Sequence, residues 1–278
     1  MTEKVKITIL IDNTALPGYI AEHGFSLWLQ TETEQILFDA GSTGEALLKN
    51  ARKAGLNLET IQHLVISHGH YDHTGGIPEL LSLAKKANVY CHPDISLLRY
   101  SIRENYAKKI SIPPASKTAL IQLPENKLHL VTRLREIVEN IELSGPIPRE
   151  TTFEDTGGPF YFDKEGKKPD LISDELVLII KTEKGLIILT GCAHSGLINV
   201  LNWIQQNYPK EKIHTIIGGF HLLNASEKRM QRTIEELKKI PFQQLIACHC
   251  TGKDPMKKLE KQFPKKVKIG KAGKTYSF

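Results

Sequence analysis

Four side chains able to bind a metal ion fall within six residues of this chain. They are His68, His70, Asp72 and His73, in the run Ser67-His-Gly-His-Tyr-Asp-His-Thr-Gly-Gly76. In an extended loop, residues two apart point to the same side, so His68 and His70 can hold one ion. The chain then turns, and Asp72 and His73 can face a second. Imidazole and carboxylate donors suit zinc, and also iron or manganese. The spacing differs from the helical His-Glu-x-x-His pattern, whose two histidines sit one turn apart. A histidine-rich surface loop is the alternative reading. The apolar residues 64–66 before the cluster and the Gly75-Gly76 pair after it argue against that, because they mark a buried strand running into a turn.

The elements that must position this cluster follow from periodicity. Residues 5–11 alternate and read as a strand, and residues 25–31 and 35–38 as a hairpin pair. Residues 43–54 read as a helix, with Ala46, Leu47, Ala51 and Ala54 at helical spacing and Gly55 as the stop. Residues 64–67 are the buried strand feeding the cluster, 77–87 a helix with Pro78 in its first turn, and 89–92 a short strand. A second series of similar order follows. Strands 175–182 and 186–190 turn at Glu183-Lys184-Gly185, then come helix 196–206, strand 214–217, helix 226–239, strand 245–248 and helix 255–263. Residues 93–170 separate the two series. They hold strand candidates at 119–123, 128–131 and 137–143 and two polar stretches rich in glycine and proline, 144–153 and 155–169. Loops of this length in a compact domain are disordered or functional. We expect residues 93–170 to be a lid-like insertion covering the active site, with a plain insertion as the alternative.

The run from Ser67 to Gly76 resembles the signature of the metallo-β-lactamase superfamily, and the resemblance extends along most of the chain. It implies an α/β (α+β) fold, a four-layer αββα sandwich, as one domain over residues 1–278. The metals would lie at one edge, between two similar halves. Members of that family complete the ligand set with a histidine, an Asp or Cys after a strand, and a last histidine. His249, in Leu245-Ile-Ala-Cys-His249-Cys-Thr-Gly252, ends a strand and opens a loop, and it matches the last histidine. Cys192, in Gly191-Cys192-Ala193-His194-Ser195-Gly196, matches the residue that bridges or caps the second metal. The Gly-His pair usual before this hairpin is absent, and Leu171-Ile-Ser173-Asp174-Glu175 stands there instead. His194 is expected to fill that place in the first metal site, with Asp174 as its rival. His221, in Ile217-Gly-Gly-Phe-His221-Leu222, is expected in the active site, where it can bind metal, contact substrate or donate a proton. His23, in Glu22-His23-Gly24-Phe25-Ser26, belongs to a segment that resembles one reaching the same face. Cys248 and Cys250 lack the paired Cys-x-x-Cys spacing of a structural zinc site and are expected to pack. Together these motifs resemble one branch of the superfamily. Its members carry the names metal-dependent hydrolase or dihydropterin ribofuranosylaminobenzene phosphate synthase, an enzyme of methanopterin biosynthesis.

Composition narrows the setting. The 278 residues are 40% hydrophobic and 24% charged, which is ordinary for a globular protein. No apolar run approaches the ~20 residues of a membrane span, so no membrane partner is expected. Residues 1–6 lack a basic segment followed by an apolar one, so no secretion leader is expected. The four cysteines, Cys91, Cys192, Cys248 and Cys250, are too few and too irregular for a disulfide framework. A reducing cytoplasm is the expected compartment. The formal charge of +6 comes mostly from lysine, with nine lysines from Lys253 to Lys274. They read either as a solvated helix and strand or as a field that draws in an anionic substrate. Without interleaved aromatics or a nucleic-acid module, a nucleic-acid partner is not expected.

Three protein ligands per ion leave room for a shared water. Two ions ~3.5–4 Å apart lower that water's pKa toward ~7 and clamp the attacking and leaving oxygens. The resemblance and the donor set therefore imply a hydrolase with two divalent transition-metal ions, zinc first and iron or manganese as alternatives. A metal-bound hydroxide would attack a phosphate ester or a carbonyl carbon, with Asp72 and His221 as catalytic candidates. The substrate is expected to be small and anionic, with a phosphate. The alternative is a transferase (synthase) that displaces pyrophosphate from a pterin-type substrate. Redox chemistry on iron is a third reading.

Overall fold

The computed structural model describes residues 4–104 and 106–278. The first three residues, on which the expectation about a leader partly rests, lie outside the described residues. In chain order the first elements are β1 (Lys6–Ile11), β2 (Ser26–Gln30), β3 (Gln35–Phe38), α1 (Gly44–Lys53), β4 (His63–Val65), α2 (Tyr71–Thr74), α3 (Ile77–Leu83) and β5 (Asn88–Cys91). The middle holds β6 (Tyr100–Arg103), β7 (Tyr106–Lys109), α4 (Pro114–Ile121), β8 (Leu128–Leu130), β9 (Arg135–Val138), β10 (Ile141–Leu143) and β11 (Phe160–Tyr161). Then come β12 (Leu178–Thr182), β13 (Gly185–Thr190), α5 (Leu197–Asn207), β14 (Ile213–Gly219), α6 (Glu227–Lys239), β15 (Phe242–Cys248), α7 (Lys253–Gln262), β16 (Val267–Ile269) and β17 (Thr275–Ser277). These elements form two compact units. One comprises the chain up to Leu98, with Ile110–Thr132 and Gly270–Phe278. The other comprises Arg99–Lys109 and Arg133–Ile269.

The first unit is built on a seven-stranded sheet in the order β17-β1-β2-β3-β4-β5-β8. Strands β3, β4, β5 and β8 run parallel. Parallel neighbours need crossover connections, and α1, α3 and α4 lie in them. Ala46, Leu47 and Ala51 of α1, Ile77 and Leu80 of α3 and Leu120 of α4 are buried in one cluster with Leu37, Leu64 and Val89 of the strands. The Thr43 hydroxyl caps α1 by accepting from the Ala46 amide at 3.3 Å. Glu45 in the first turn and Arg52 and Lys53 in the last complement the helix dipole.

The second unit repeats the plan, with a sheet in the order β16-β15-β14-β13-β12-β10-β9. Strands β13 to β16 are parallel, and α5, α6 and α7 connect them. Val200, Leu201 and Ile204, Met230, Ile234 and Leu237, and Leu259 bring the three helices into one buried cluster with Ile188, Ile216 and Leu245. A small sheet, β11-β6-β7, completes this unit.

Within each unit the chemically capable side chains follow the carboxyl ends of parallel strands. Asp39 follows β3, Ser67 and His68 follow β4, Cys192 follows β13, His221 follows β14 and His249 follows β15. In open α/β sheets this is the edge where ligands bind.

Three local expectations differ from the structure. Residues 119–123 do not form a strand; 119–121 end α4, which starts at the Pro113-Pro114 pair, where proline suits the first helical turn. Residues 137–143 are not one strand, because Asn140 at φ +65° turns the chain between β9 and β10. The helix from Ile77 stops at Leu83 and not at residue 87. The stretch 93–170 is also not one piece. β8 edges the sheet of the first unit, whereas β9 and β10 edge the sheet of the second.

Candidate functional site

In the first unit, Asp39 organises the histidine run. Its backbone sits at φ +61° just past β3, and its side chain is fully buried. One oxygen accepts from the Ser67 amide at 2.7 Å. The other accepts from the Ser67 hydroxyl at 2.7 Å and from His73 Nδ1 at 2.6 Å. Ser67 Oγ in turn lies 2.9 Å from His68 Nδ1. The His68 ring centroid is 4.5 Å from that of His70 and 4.3 Å from that of His73, and His68 Nε2 is 3.0 Å from His70 Nδ1. The sequence thus brings all three rings together. It also places Asp72 beside them on the single turn α2, with Asp72 Oδ2 3.2 Å from Nε2 of the exposed His23. Bonds from Tyr71 N to Ile110 O at 3.0 Å and from Thr74 Oγ1 to His70 O at 2.7 Å hold the turn. Gly75 is required because a Cβ there would overlap the Ser42 carbonyl.

A carboxylate on Nδ1 fixes the ring orientation and tautomer of a metal-binding histidine and presents Nε2. Asp39 stands in that relation to His73. Asp39→Asn is therefore expected to weaken metal retention by the ~10–100-fold typical of such partners, read by competition with a chromophoric chelator. Unchanged affinity would reduce Asp39 to a loop brace.

In the second unit, Gly191-Cys192 leaves β13 and Ala193 turns at φ +51°. His194 is fully buried, and its Nδ1 donates to the Thr156 carbonyl at 2.8 Å. Its ring is 4.4 Å from that of His221, and the Phe160 ring stands edge-on to both. The donor atoms of Cys192, His221 and Cys250 lie within 4.8 Å of one another. His221 and His249 turn at φ +44° and +45°, a strained backbone for non-glycine residues of the kind that collects at functional sites. Asp174, the rival of His194, commits both carboxylate oxygens to Arg99 at 2.8 and 2.9 Å.

Residues 150–157, part of the stretch expected to cover the site, form a strap across the start of α5. Asn199 Oδ1 accepts from the amides of Glu150 and Thr151 at 2.9 and 2.8 Å. The Glu154 carboxylate accepts from the amides of Ile198 and Asn199, both at 2.9 Å, the favoured place for a negative charge on a helix. Burial pushes the Glu154 pKa up, and those amide bonds oppose the shift. Gly157 packs so tightly that a Cβ there would fall on the His221 ring.

Sequence reasoning missed Asp39, Glu154 and Thr156; Cys250, expected to pack, is buried with its thiol 3.7 Å from the Cys192 carbonyl. Asp39 carried a visible signal: a carboxylate directly after the apolar strand residues 36–38 and before Ala40-Gly41. Glu154 and Thr156 carried none, because their partners lie 44, 45 and 38 residues away. As a donor set, buried imidazoles anchored at Nδ1, a carboxylate and a thiol fit a divalent transition metal.

Comparison with known proteins agrees with this chemistry. The family model described as metallo-beta-lactamase superfamily matches residues 20–195. An uncharacterised protein of Methanocaldococcus jannaschii is 33% identical, over 91% of this chain and 93% of its own. A second protein of that organism, named 7,8-dihydropterin-6-methyl-4-(beta-D-ribofuranosyl)-aminobenzene-5'-phosphate synthase, is 28% identical over 99% of this chain and 97% of its own. A crystal structure described as a metal-dependent hydrolase of the β-lactamase superfamily superposes with a TM-score of 0.82 at 29% identity, covering 98% of both chains. The expected fold class, the α/β αββα type, is the one found. No helix among the described residues is long and apolar enough to cross a membrane.

Proposed function

The chain belongs to the metallo-β-lactamase superfamily, and on that premise we propose that it is a hydrolase dependent on two divalent transition-metal ions, zinc foremost, acting on a small phosphate ester or carbonyl substrate. The observation that carries the reading is the anchoring of the rings. His73 is held by Asp39, His68 by Ser67 and His194 by Thr156, each through Nδ1. Histidines with purely structural roles have no need of three buried rings each anchored at Nδ1. In this reading His68, His70 and His194 hold one ion, Asp72, His73 and His249 the other, and Cys192 caps the second. When bound, the ions supply Lewis acidity and a water of lowered pKa. Asp72, beside His23, would help to hold an ion and could take up a proton at its carboxylate. His221 is half-buried at the end of β14 and can hold a proton for the leaving oxygen. The Phe160 ring packs edge-on against the His194 and His221 rings. The charge of +6 suits an anionic, phosphate-bearing substrate. The cytoplasm is the compartment that fits so few and irregular cysteines.

Metal analysis after expression in media supplemented with zinc, iron or manganese tests the reading. About two ions per chain are expected, as in two-metal sites generally, and Asp72→Ala is expected to lose one of them. A folded protein that takes up no metal in any medium would sink the proposal. A screen of phosphodiesters, lactones and thioesters then defines the reaction. One observation favours a second reading, the 28% identity to a synthase-named relative over nearly the whole chain. In that reading the protein is a transferase that displaces pyrophosphate from a pterin-type substrate. Pyrophosphate release that depends on an aryl amine, with no hydrolysis in its absence, would select it.

A further inference from the structure

We infer that Glu175 and Arg149 are positioning residues that set the ring of His194, an inference resting on the reading of His194 as a metal ligand. The two side chains grip the His194 main chain through its two polar groups. Glu175 Oε1 accepts from the His194 amide at 2.6 Å. Its other oxygen accepts from the Ser195 amide at 2.8 Å and the Ser195 hydroxyl at 2.7 Å. The Arg149 guanidinium donates to the His194 carbonyl and, at 2.8 Å, to the Leu171 carbonyl.

Three observations separate this grip from ordinary loop bracing. First, Glu175 is 2% exposed, and burying a carboxylate is costly unless it is well hydrogen-bonded. Among the described residues, every hydrogen bond that its side chain makes goes to residues 194 and 195. Second, Arg149 forms no ion pair among the described residues and gives its charge to backbone carbonyls instead. Charge-assisted bonds are roughly twice as strong as neutral ones. Third, the held peptide follows Ala193 at φ +51°, a conformation that a residue with a Cβ rarely adopts unaided. With its main chain fixed on both sides, the His194 ring is set against the Thr156 carbonyl, 2.8 Å from Nδ1. That bond leaves Nδ1 as the protonated nitrogen and Nε2 as the one presented.

The test reads the ring directly. Long-range proton–nitrogen spectra of the histidine side chains are recorded on the metal-free protein, for the wild type, Glu175→Gln and Arg149→Met. The wild type is expected to show a single His194 tautomer with a slowly exchanging Nδ1 proton. Both variants are expected to lose it, while His73, held separately by Asp39, stays unchanged. Chelator competition is expected to show the affinity for one ion reduced by ~10–100-fold and the other retained. If Glu175→Gln fails to fold, Arg149→Met still carries the test, because the buried carboxylate keeps its three donors. An unchanged His194 ring in the folded variants overturns the inference, and so does an equal change at His73. If the wild type shows the fixed ring but His194→Ala leaves metal uptake intact, the ligand assignment fails and the positioning role stands.

Discussion

Replacing His221 with alanine is expected to lower kcat by ~10²–10⁴-fold, the range of a general acid–base group, with the fold intact and both ions retained. The residue follows the Gly218-Gly219 end of β14 and turns at φ +44°. Its ring lies against His194, which is wholly buried, yet His221 itself is half-exposed. That difference suits a group that meets substrate. The surroundings hold it in place: Phe160 stands edge-on to the ring, and Gly157 leaves no space beside it. Alanine removes the imidazole without disturbing a core cluster, so far-UV dichroism and the melting temperature should hardly move. Turnover of a verified substrate, together with metal content, checks the expectation. Loss of an ion would move His221 into the ligand set beside Cys192 and Cys250. Unchanged turnover with both ions present would make it a structural histidine.

The sequence carries the features set by local spacing. His68, His70, Asp72 and His73 are legible because six residues hold the whole cluster. His194, His221 and His249 are legible because each follows an apolar strand marked by glycine or cysteine. The parallel strands read correctly from their apolar runs, except β16, whose three residues Val267–Ile269 are too short and too polar to show one. What sequence reading lost depends on contacts between distant residues. Asp39 meets His73 34 positions away, Glu175 meets His194 19 away and Arg149 reaches His194 45 away. None of these pairs leaves a periodic trace. Two errors were local and avoidable. Pro113-Pro114 opens a helix that the β-like residues 119–123 had masked. Asn140, one of the residues that tolerates positive φ, splits the seven-residue strand candidate 137–143 into a hairpin. Asp174 shows the limit of distance again. Its counter-ion lies 75 residues away and leaves no trace in the local sequence.

That counter-ion, Arg99, gives the largest expected stability effect. It is 1% exposed just before β6. Its Nε lies 3.0 Å from Asp170, and its two terminal nitrogens lie 2.8 and 2.9 Å from Asp174. The bidentate geometry suits guanidinium and no other side chain. Arg99→Met would fill much of the space but leave two buried carboxylates without their cation. Breaking a buried pair from one side costs about 3–5 kcal/mol, so a loss of that size is expected in urea unfolding at pH 7. The dependence on pH distinguishes this mechanism from lost packing. Burial already pushes the Asp170 pKa up in the intact protein, and Arg99 is the leading influence against it. Without Arg99, the folded-state pKa of Asp170 rises further above the unfolded value of ~3.9. A raised acid pKa destabilises the fold above that window, and the penalty fades as pH falls through the folded pKa toward the unfolded one. The deficit of Arg99→Met against the wild type should therefore shrink between pH 7 and pH ~4. Adding Asp170→Asn and Asp174→Asn should recover most of it at pH 7, since no buried charge then remains to be compensated. A deficit that is the same at both pH values, and that the two asparagines do not relieve, would show that Arg99 acts through its packing and not its charge.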